Sequence, residues 1–330
     1  MTGATGFIGS AVVRALVARG AHVVAVTQPG VDTRNLDGLD IERVPADVRD
    51  QAAMRAALAG ARFVFHLAAM YRFWARDPRV FYEVNVQGTR NVLDAAREAE
   101  RLVYTSTVGV LAPRADGQPA DETQVASPGR LHGHYKLSKY AAEHEALRAG
   151  AQGLDVTLVL PTFPLGPGDV APTPTGKVVL DFLNGRLPGY ADTALNVAHV
   201  DDLAAGHLLA LERGQAGRGY IAGGENMTMR EILSALAACT GLPAPRWRIP
   251  GPLAIAAGAA STLIEGTLLR REPRVPVDAA RMSVTSMTFT DARARAELGY
   301  TSRPAREAIE DSARWFEANG HVCRHIGRRS

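Results

Sequence analysis

The stretch Gly3-Ala4-Thr5-Gly6-Phe7-Ile8-Gly9 decides the fold. Its glycines keep a GxxGxxG spacing and lead directly into Ile8, Val12, Val13, Leu16 and Val17, which recur at helical spacing up to a capping Gly20. Each glycine has a geometric task. Gly3 permits a tight turn, Gly6 lets the backbone approach a pyrophosphate, and Gly9 lets the helix lie against its strand. The anion then sits at the helix N-terminus, where unpaired N–H groups and the helix dipole favour it. Such a turn follows a strand at the centre of a sheet, yet only Met1 and Thr2 precede it. Losing that strand would leave two edges unpaired, so the sequence is expected to begin several residues inside a truncated first strand.

Working outward, apolar runs at 23–26, 62–69, 101–107 and 155–160 read as strands. They are nearly continuous, as parallel strands covered on both faces require. Helical patterns over 77–100 and 134–152 lie between them. The alternation predicts an α/β fold with a doubly wound parallel sheet, a Rossmann domain over residues 1–163. Pro161, Pro164, Pro167, Pro172 and Pro174 then change the texture. A strand over 195–200, a helix over 201–213 and a strand-like run at 219–224 follow. Thr228 with Glu231 forms a capping box for the next helix, and Pro304 opens a last helix that Gly320 closes. Residues 164–330 are expected to form mainly a smaller C-terminal substrate domain, with 195–213 and about 286–298 returning to the Rossmann domain.

Composition narrows the function. The 330 residues are 46% hydrophobic and 22% charged, a globular balance that excludes a disordered or fibrous chain. The formal charge of +3 is too small a surplus for nucleic acid, and the basic residues are scattered. Cys239 and Cys323 offer no zinc spacing, so no metal site is expected. The most apolar run, 252–264, is too short to span a bilayer, and no basic region followed by an apolar run opens the chain. A cytoplasmic location is expected.

An acid near the end of the second strand would hold the ribose hydroxyl of NAD. Thr27 and Gln28 stand there instead, and Arg34 lies downstream with a guanidinium suited to a 2′-phosphate. This favours NADP over NAD. Tyr135 and Lys139 form a YxxxK pair, placed on one helix face by the i, i+4 spacing. A phenol is a poor acid or base at neutrality, and a nearby ammonium favours its ionised form. Because the chain has only three lysines, Lys136, Lys139 and Lys177, a lysine at this spacing carries weight. The run 104–109 ends a strand at the sheet's carboxyl edge, where Ser106 or Thr107 can donate to a substrate oxygen.

In order along the chain, 2–9, Asp47-Val48-Arg49-Asp50, His66-Leu67-Ala68-Ala69, 85–91, Ser106-Thr107, Tyr135 with Lys139, and His199-Val200-Asp201-Asp202 resemble the extended short-chain dehydrogenases/reductases, of the NAD-dependent epimerase/dehydratase family, over nearly the whole chain. Residues 71–78 and 172–176 are most similar to the hopanoid-associated sugar epimerase group, with dihydroflavonol-reductase-like proteins next. The resemblance implies a dinucleotide held by Gly3, Thr5, Gly6, Phe7, Ile8 and Gly9. Asp47 would hold the adenine amino group beside Val48, and Leu67, Ala68 and Ala69 would line the ribose and nicotinamide path. Pro161, Thr162 and Phe163 would flank the nicotinamide. Tyr135 becomes the acid/base and Lys139 the ribose ligand. Thr107 falls on the family's usual catalytic serine position, with Ser106 as neighbour, and Asn85 supports the site. A homodimer through sheet-flanking helices is also implied.

Nucleotide-sugar epimerases usually carry an arginine four residues before the histidine of the HVxD segment; Leu195 takes its place here. A diphosphate then loses a charge-assisted contact, unless Lys177 or Arg186 substitutes. The expected activity is therefore NAD(P)-dependent oxidoreduction of a fairly apolar carbonyl or carbinol. The alternatives are a sugar epimerase or dehydratase and a non-catalytic dinucleotide sensor. Tyr71, Phe73 and Trp74 either wall the site or pack under a loop. Residues 253–264 form a buried helix, a cover over a hydrophobic substrate, or an interfacial helix.

Overall fold

Thr2 joins two halves of one sheet. It bridges Val26 on one side and His66 on the other, both in parallel sense. Val26 N donates to Met1 O at 2.8 Å and Thr2 N donates to Phe65 O at 2.9 Å. Residues 1 and 2 thus occupy the central position that the glycine turn demands of its preceding strand.

The computed structural model describes residues 1–323, so 324–330 of the expected second domain lie outside the described residues. After the glycine turn come α1 (Phe7–Ala18), β1 (Val24–Thr27), β2 (Glu42–Pro45), α2 (Gln51–Leu58) and β3 (Phe63–His66). The next segment holds α3 (Arg79–Tyr82), α4 (Gly88–Ala95), β4 (Arg101–Thr105), α5 (His134–Ala151) and β5 (Val156–Pro161). The helix expected over 77–100 is interrupted between α3 and α4 by a wide π-turn, Glu83–Gln87. From the first turn of α4 the Thr89 hydroxyl donates back to Asn85 O at 2.6 Å, a side-chain bond of the kind that competes with regular helix.

Beyond β5 lie β6 (Phe163–Leu165), α6 (Gly176–Leu183), β7 (Ala194–His199), α7 (Val200–Arg213), β8 (Gly219–Ala222), β9 (Glu225–Thr228) and α8 (Met229–Thr240). The last elements are α9 (Gly251–Ser261), α10 (Val277–Ser283) and α11 (Ala305–Ala318). β1 and β2 form one parallel edge, and β3-β4-β5-β8 form the other, also parallel. Apolar side chains cover both faces of this sheet, as the continuous strand runs require.

A second sheet, β6-β7-β9, packs with α6, α8 and α11 around its own core. The 195–213 segment divides between the two units: β7 belongs to the smaller sheet, whereas α7 packs on α1 beneath the main one. Met287 pairs with Leu195, and the turn at Ala294–Leu298 packs on α7 and β8. The capping box at Thr228 and Glu231 forms as its spacing predicts.

The buried-helix reading of 253–264 does not hold. α9 buries only Gly258, because its Ala and Gly positions are small enough to approach α10 closely while Leu253, Leu263 and Ile264 stay exposed. Among the described residues no helix is long and apolar enough to cross a membrane.

Candidate active site

The glycine turn builds a cradle from missing side chains. Gly3 sits at φ +72°, a left-handed conformation that favours glycine. A Cβ there would lie 2.5 Å from Ala68 N. A Cβ on Gly9 would drive into the Gly3 carbonyl, so turn and helix close on each other. At Gly6 the nearest protein atom to a Cβ would be Gly3 O at 3.3 Å. Gly6, Phe7, Ile8 and Gly9 line a cleft where the first amides of α1 have no intrahelical partner. Among the described residues no carboxylate lines that cleft, which suits an anion.

Leu67 and Ala69 follow β3 along the cleft, and Pro161 and Thr162 close it from the end of β5. The Thr162 hydroxyl is buried without a hydrogen-bond partner, a costly state unless a ligand satisfies it. Together the cradle and this orphaned hydroxyl fit a dinucleotide. Ala68 packs behind Gly3, and the Thr5 carbonyl accepts from Asn35 Nδ2 at 3.1 Å. Val48 is buried, with its carbonyl accepting from Asn91 Nδ2 at 2.8 Å. Asp47, Gln28 and Arg34 lie apart from the cleft, in the exposed loops after β1 and β2. Asp47 accepts from Arg49 at 2.6 Å and from Gln28 at 3.2 Å. Arg34 is held by Asp32 at 2.6 and 2.8 Å.

Tyr135 and Lys139 both face the cleft from α5. Lys139 Nζ donates to Tyr104 Oη at 2.9 Å and to Thr105 O at 2.7 Å. Its ammonium also lies 4.5 Å from the centre of the Tyr104 ring, a cation–π arrangement. Burial lowers its pKa to about 7, while the Glu143 carboxylate one helical turn on pulls it upward. The phenol of Tyr135 is pushed up to about 12 by burial, and the Thr107 hydroxyl pulls it down. Desolvation therefore dominates at the phenol.

The two strand-end hydroxyls part company. Ser106 Oγ donates to the buried carboxylate of Glu143. Thr107 Oγ1 accepts from Gly109 N at 3.0 Å, leaving its own proton free for a further acceptor. Asn85, inside the π-turn, accepts from Met70 N at 2.7 Å and donates to Ser138 Oγ at 2.8 Å. It ties the loop after β3 to the residue preceding Lys139, and single π-turns often mark functional sites.

A second space opens against the first. It encloses about 1130 Å³ with its mouth included. Phe163, Leu195, Met229, Met287 and Phe289 contribute apolar walls, and α10 adds Ala279, Ala280 and Met282. Tyr71 and Phe73 line it as expected, with the Tyr71 ring 5.0 Å from that of Tyr135. Trp74 instead backs Gly266. Neither Lys177 nor Arg186 is in its walls. Cleft and chamber share Tyr71, Thr107, Tyr135 and Thr162.

Residues 169–176 reach both spaces. Thr173 lines the cleft, and Pro174 and Thr175 line the chamber. Asp169 accepts from Thr173 N at 3.0 Å and from its hydroxyl at 2.8 Å. Burial raises the Asp169 carboxyl to about 6.

Sequence reasoning gave no role to Tyr104, Glu143 or Asp169. Glu143 carries a readable signal, since it stands four residues after Lys139 on the same helix face. Tyr104 meets Lys139 only through a tertiary contact, and Asp169 is held by local bonds to Thr173 four residues on.

Residues 1–223 match the model of the "NAD dependent epimerase/dehydratase family". The chain is 41% identical to a Synechocystis protein named "Putative dihydroflavonol 4-reductase", covering 98% of this chain and 95% of that one. It is 34% identical to sterol demethylase protein B of Methylococcus capsulatus, covering 98% and 99%. The solved structure of gox2253 superposes with a TM-score of 0.86 at 41% identity, over 97% and 98% of the two chains. With the cradle, the phenol–ammonium pair and the strand-end hydroxyl in one cleft, the chain belongs to the NAD-dependent epimerase/dehydratase family, as an NAD(P)-dependent enzyme of the extended short-chain dehydrogenase/reductase type.

Proposed function

We propose that the protein reduces a carbonyl, or oxidises the corresponding carbinol, of a fairly apolar substrate, and that it prefers NADP to NAD. The observation that carries this reading is the wall shared by cleft and chamber, which holds Tyr135 and Thr107. When bound, the dinucleotide supplies or accepts the hydride. The cradle at Gly3, Gly6 and Gly9 holds the pyrophosphate, Lys139 holds the nicotinamide ribose, and Thr162 with Pro161 flanks the ring. Thr107 donates to the substrate oxygen and fixes the reacting carbon. Tyr135 gives its proton to that oxygen in reduction and takes it back in oxidation. A phenol kept protonated by burial suits the first role at neutral pH.

The apolar substrate is supported by Leu195, Met229 and Phe289 in the chamber and by a relative named for sterol chemistry. Preference for NADP is supported by Gln28 in place of an acid and by exposed Arg34, which exchanges Asp32 for the 2′-phosphate. A homodimer through the sheet-flanking helices and a cytoplasmic location accompany the reading. The test is stoichiometric NADPH oxidation across a panel of hydrophobic ketones, with Tyr135→Phe as control. Turnover is expected to vanish in that variant while NADPH still binds. Conversion of a nucleotide-sugar without net NADPH consumption would establish the epimerase alternative instead.

A further inference from the structure

A surface helix normally turns its polar side to water. The segment from α9 through the π-turn at Thr262–Leu268 does the reverse. Its exposed positions recur at helical spacing: Leu253, Ala256 and Ala257, Ala260, Leu263 and Ile264, then Leu268. No charged side chain stands on this stripe, and Leu268 is 71% exposed. The one acid in the segment, Glu265, is turned inward. It accepts from Ser261 Oγ and Arg274 N at 2.8 Å and from Arg271 at 2.9 Å.

The stripe connects with the chamber. Gly258 lies against Ala280 of α10, and α10 forms part of the chamber wall. Val275 is both exposed and a chamber residue. The apolar surface therefore reaches the substrate mouth.

Charge identifies what covers it. Residues 243–283 hold six arginines against three acids, so this segment carries the whole formal surplus of the chain, which is otherwise balanced. Arg270 and Arg274 are exposed at the end of the stripe, where Arg274 Nε lies 3.7 Å from Glu265 and the exposed Glu272 is paired with Arg72 at 3.5 Å. A second copy laid antiparallel on the same two-fold face would set each arginine rim against the Leu253 end of its partner's stripe, which carries no acid to answer it. An anionic surface complements the arginines. With no spanning helix among the described residues, an apolar stripe beside arginines matches a helix lying in the plane of a bilayer.

We infer that the face formed by Leu253, Leu263, Ile264 and Leu268, with Arg270 and Arg274, docks the enzyme on an anionic lipid bilayer, its chamber mouth toward the lipid. Delivery of an apolar substrate from that lipid rests on the reductase reading, but docking does not. The full chain is centrifuged with sucrose-loaded vesicles of phosphatidylcholine, alone or with phosphatidylglycerol. Sedimentation with the anionic vesicles is expected, weakening as salt rises toward about 0.5 M. The triple variant Leu263→Ser, Ile264→Ser, Leu268→Ser should lower partitioning at least about tenfold. Arg270→Glu with Arg274→Glu should abolish the preference for anionic vesicles. NADPH binding by each variant reports folding without turnover. Wild-type protein that sediments with neither vesicle overturns the inference. So does a wild-type oligomer that the triple variant dissociates, which would make a second copy the occupant.

Discussion

The Ser106 hydroxyl donates to the Glu143 carboxylate, while the adjacent Thr107 hydroxyl faces the wall shared by cleft and chamber. Both residues line the cleft, but Thr107 alone of the pair also lines the chamber, and the Ser106 proton is taken up by Glu143. Thr107→Val should lower kcat about 100-fold, the scale for losing one oxyanion donor, and Thr107→Ser should restore much of it. Ser106→Ala leaves a buried carboxylate with one partner fewer. It should cost about 1–3 kcal/mol of stability with kcat changed only a few-fold. Steady-state kinetics beside thermal melts separate the two.

The Lys139 ammonium, lowered to about 7 by burial, loses its charge as pH rises through that value. NADPH affinity measured by fluorescence should fall across the same range, since the ribose loses its cationic ligand. Glu143 pulls this pKa upward, so Glu143→Gln should move the midpoint to lower pH. The sign for folding is opposite. An unfolded lysine keeps its proton to about 10.5, so the folded state gains stability from this group as pH rises from about 7 to there.

Gly6 and Gly9 should respond differently to one added methyl. Gly6→Ala meets protein only at Gly3 O, 3.3 Å away. It should keep the melting temperature within about 2–4 °C, the shift for a loss near 1 kcal/mol in a large domain, while weakening NADPH binding at least about tenfold. Gly9→Ala collides with the turn itself and should destabilise the fold. Calorimetry with a cofactor titration checks both.

Leu195 is the chamber residue that most directly tests substrate character. Leu195→Arg places a guanidinium among apolar walls, where an unpaired charge is poorly tolerated. For a hydrophobic ketone kcat/KM should fall at least about tenfold, with NADPH affinity unchanged. A loss of cofactor binding would mean that the cleft, too, had been disturbed.

The parts legible in sequence are those fixed by local chemistry. GxxGxxG dictates the turn, continuous apolar runs dictate buried parallel strands, and i, i+4 spacing puts Tyr135 and Lys139 on one face. The illegible parts depend on partners distant in sequence. The three-residue β6 and the polar β9 are too short to carry periodicity and exist through pairing with β7. The 77–100 pattern hides a π-turn because the segments on either side each keep ordinary helical spacing, and the extra residue shows only as a rotation of about 100° between their faces. In α9 the stretch of alanines and glycines leaves its buried side undefined until α10 is in place. At Tyr135 burial outweighs the help that a nearby ammonium gives the phenolate, a balance that i, i+4 spacing does not reveal.

Asp169 fastens a short stretch whose Thr173 touches one space and whose Pro174 and Thr175 touch the other. Binding in either space is expected to stiffen the same few peptide units that line the other. Each guest should then leave more slowly when the other is present, an interdependence visible as a ternary complex tighter than the product of its two binary affinities.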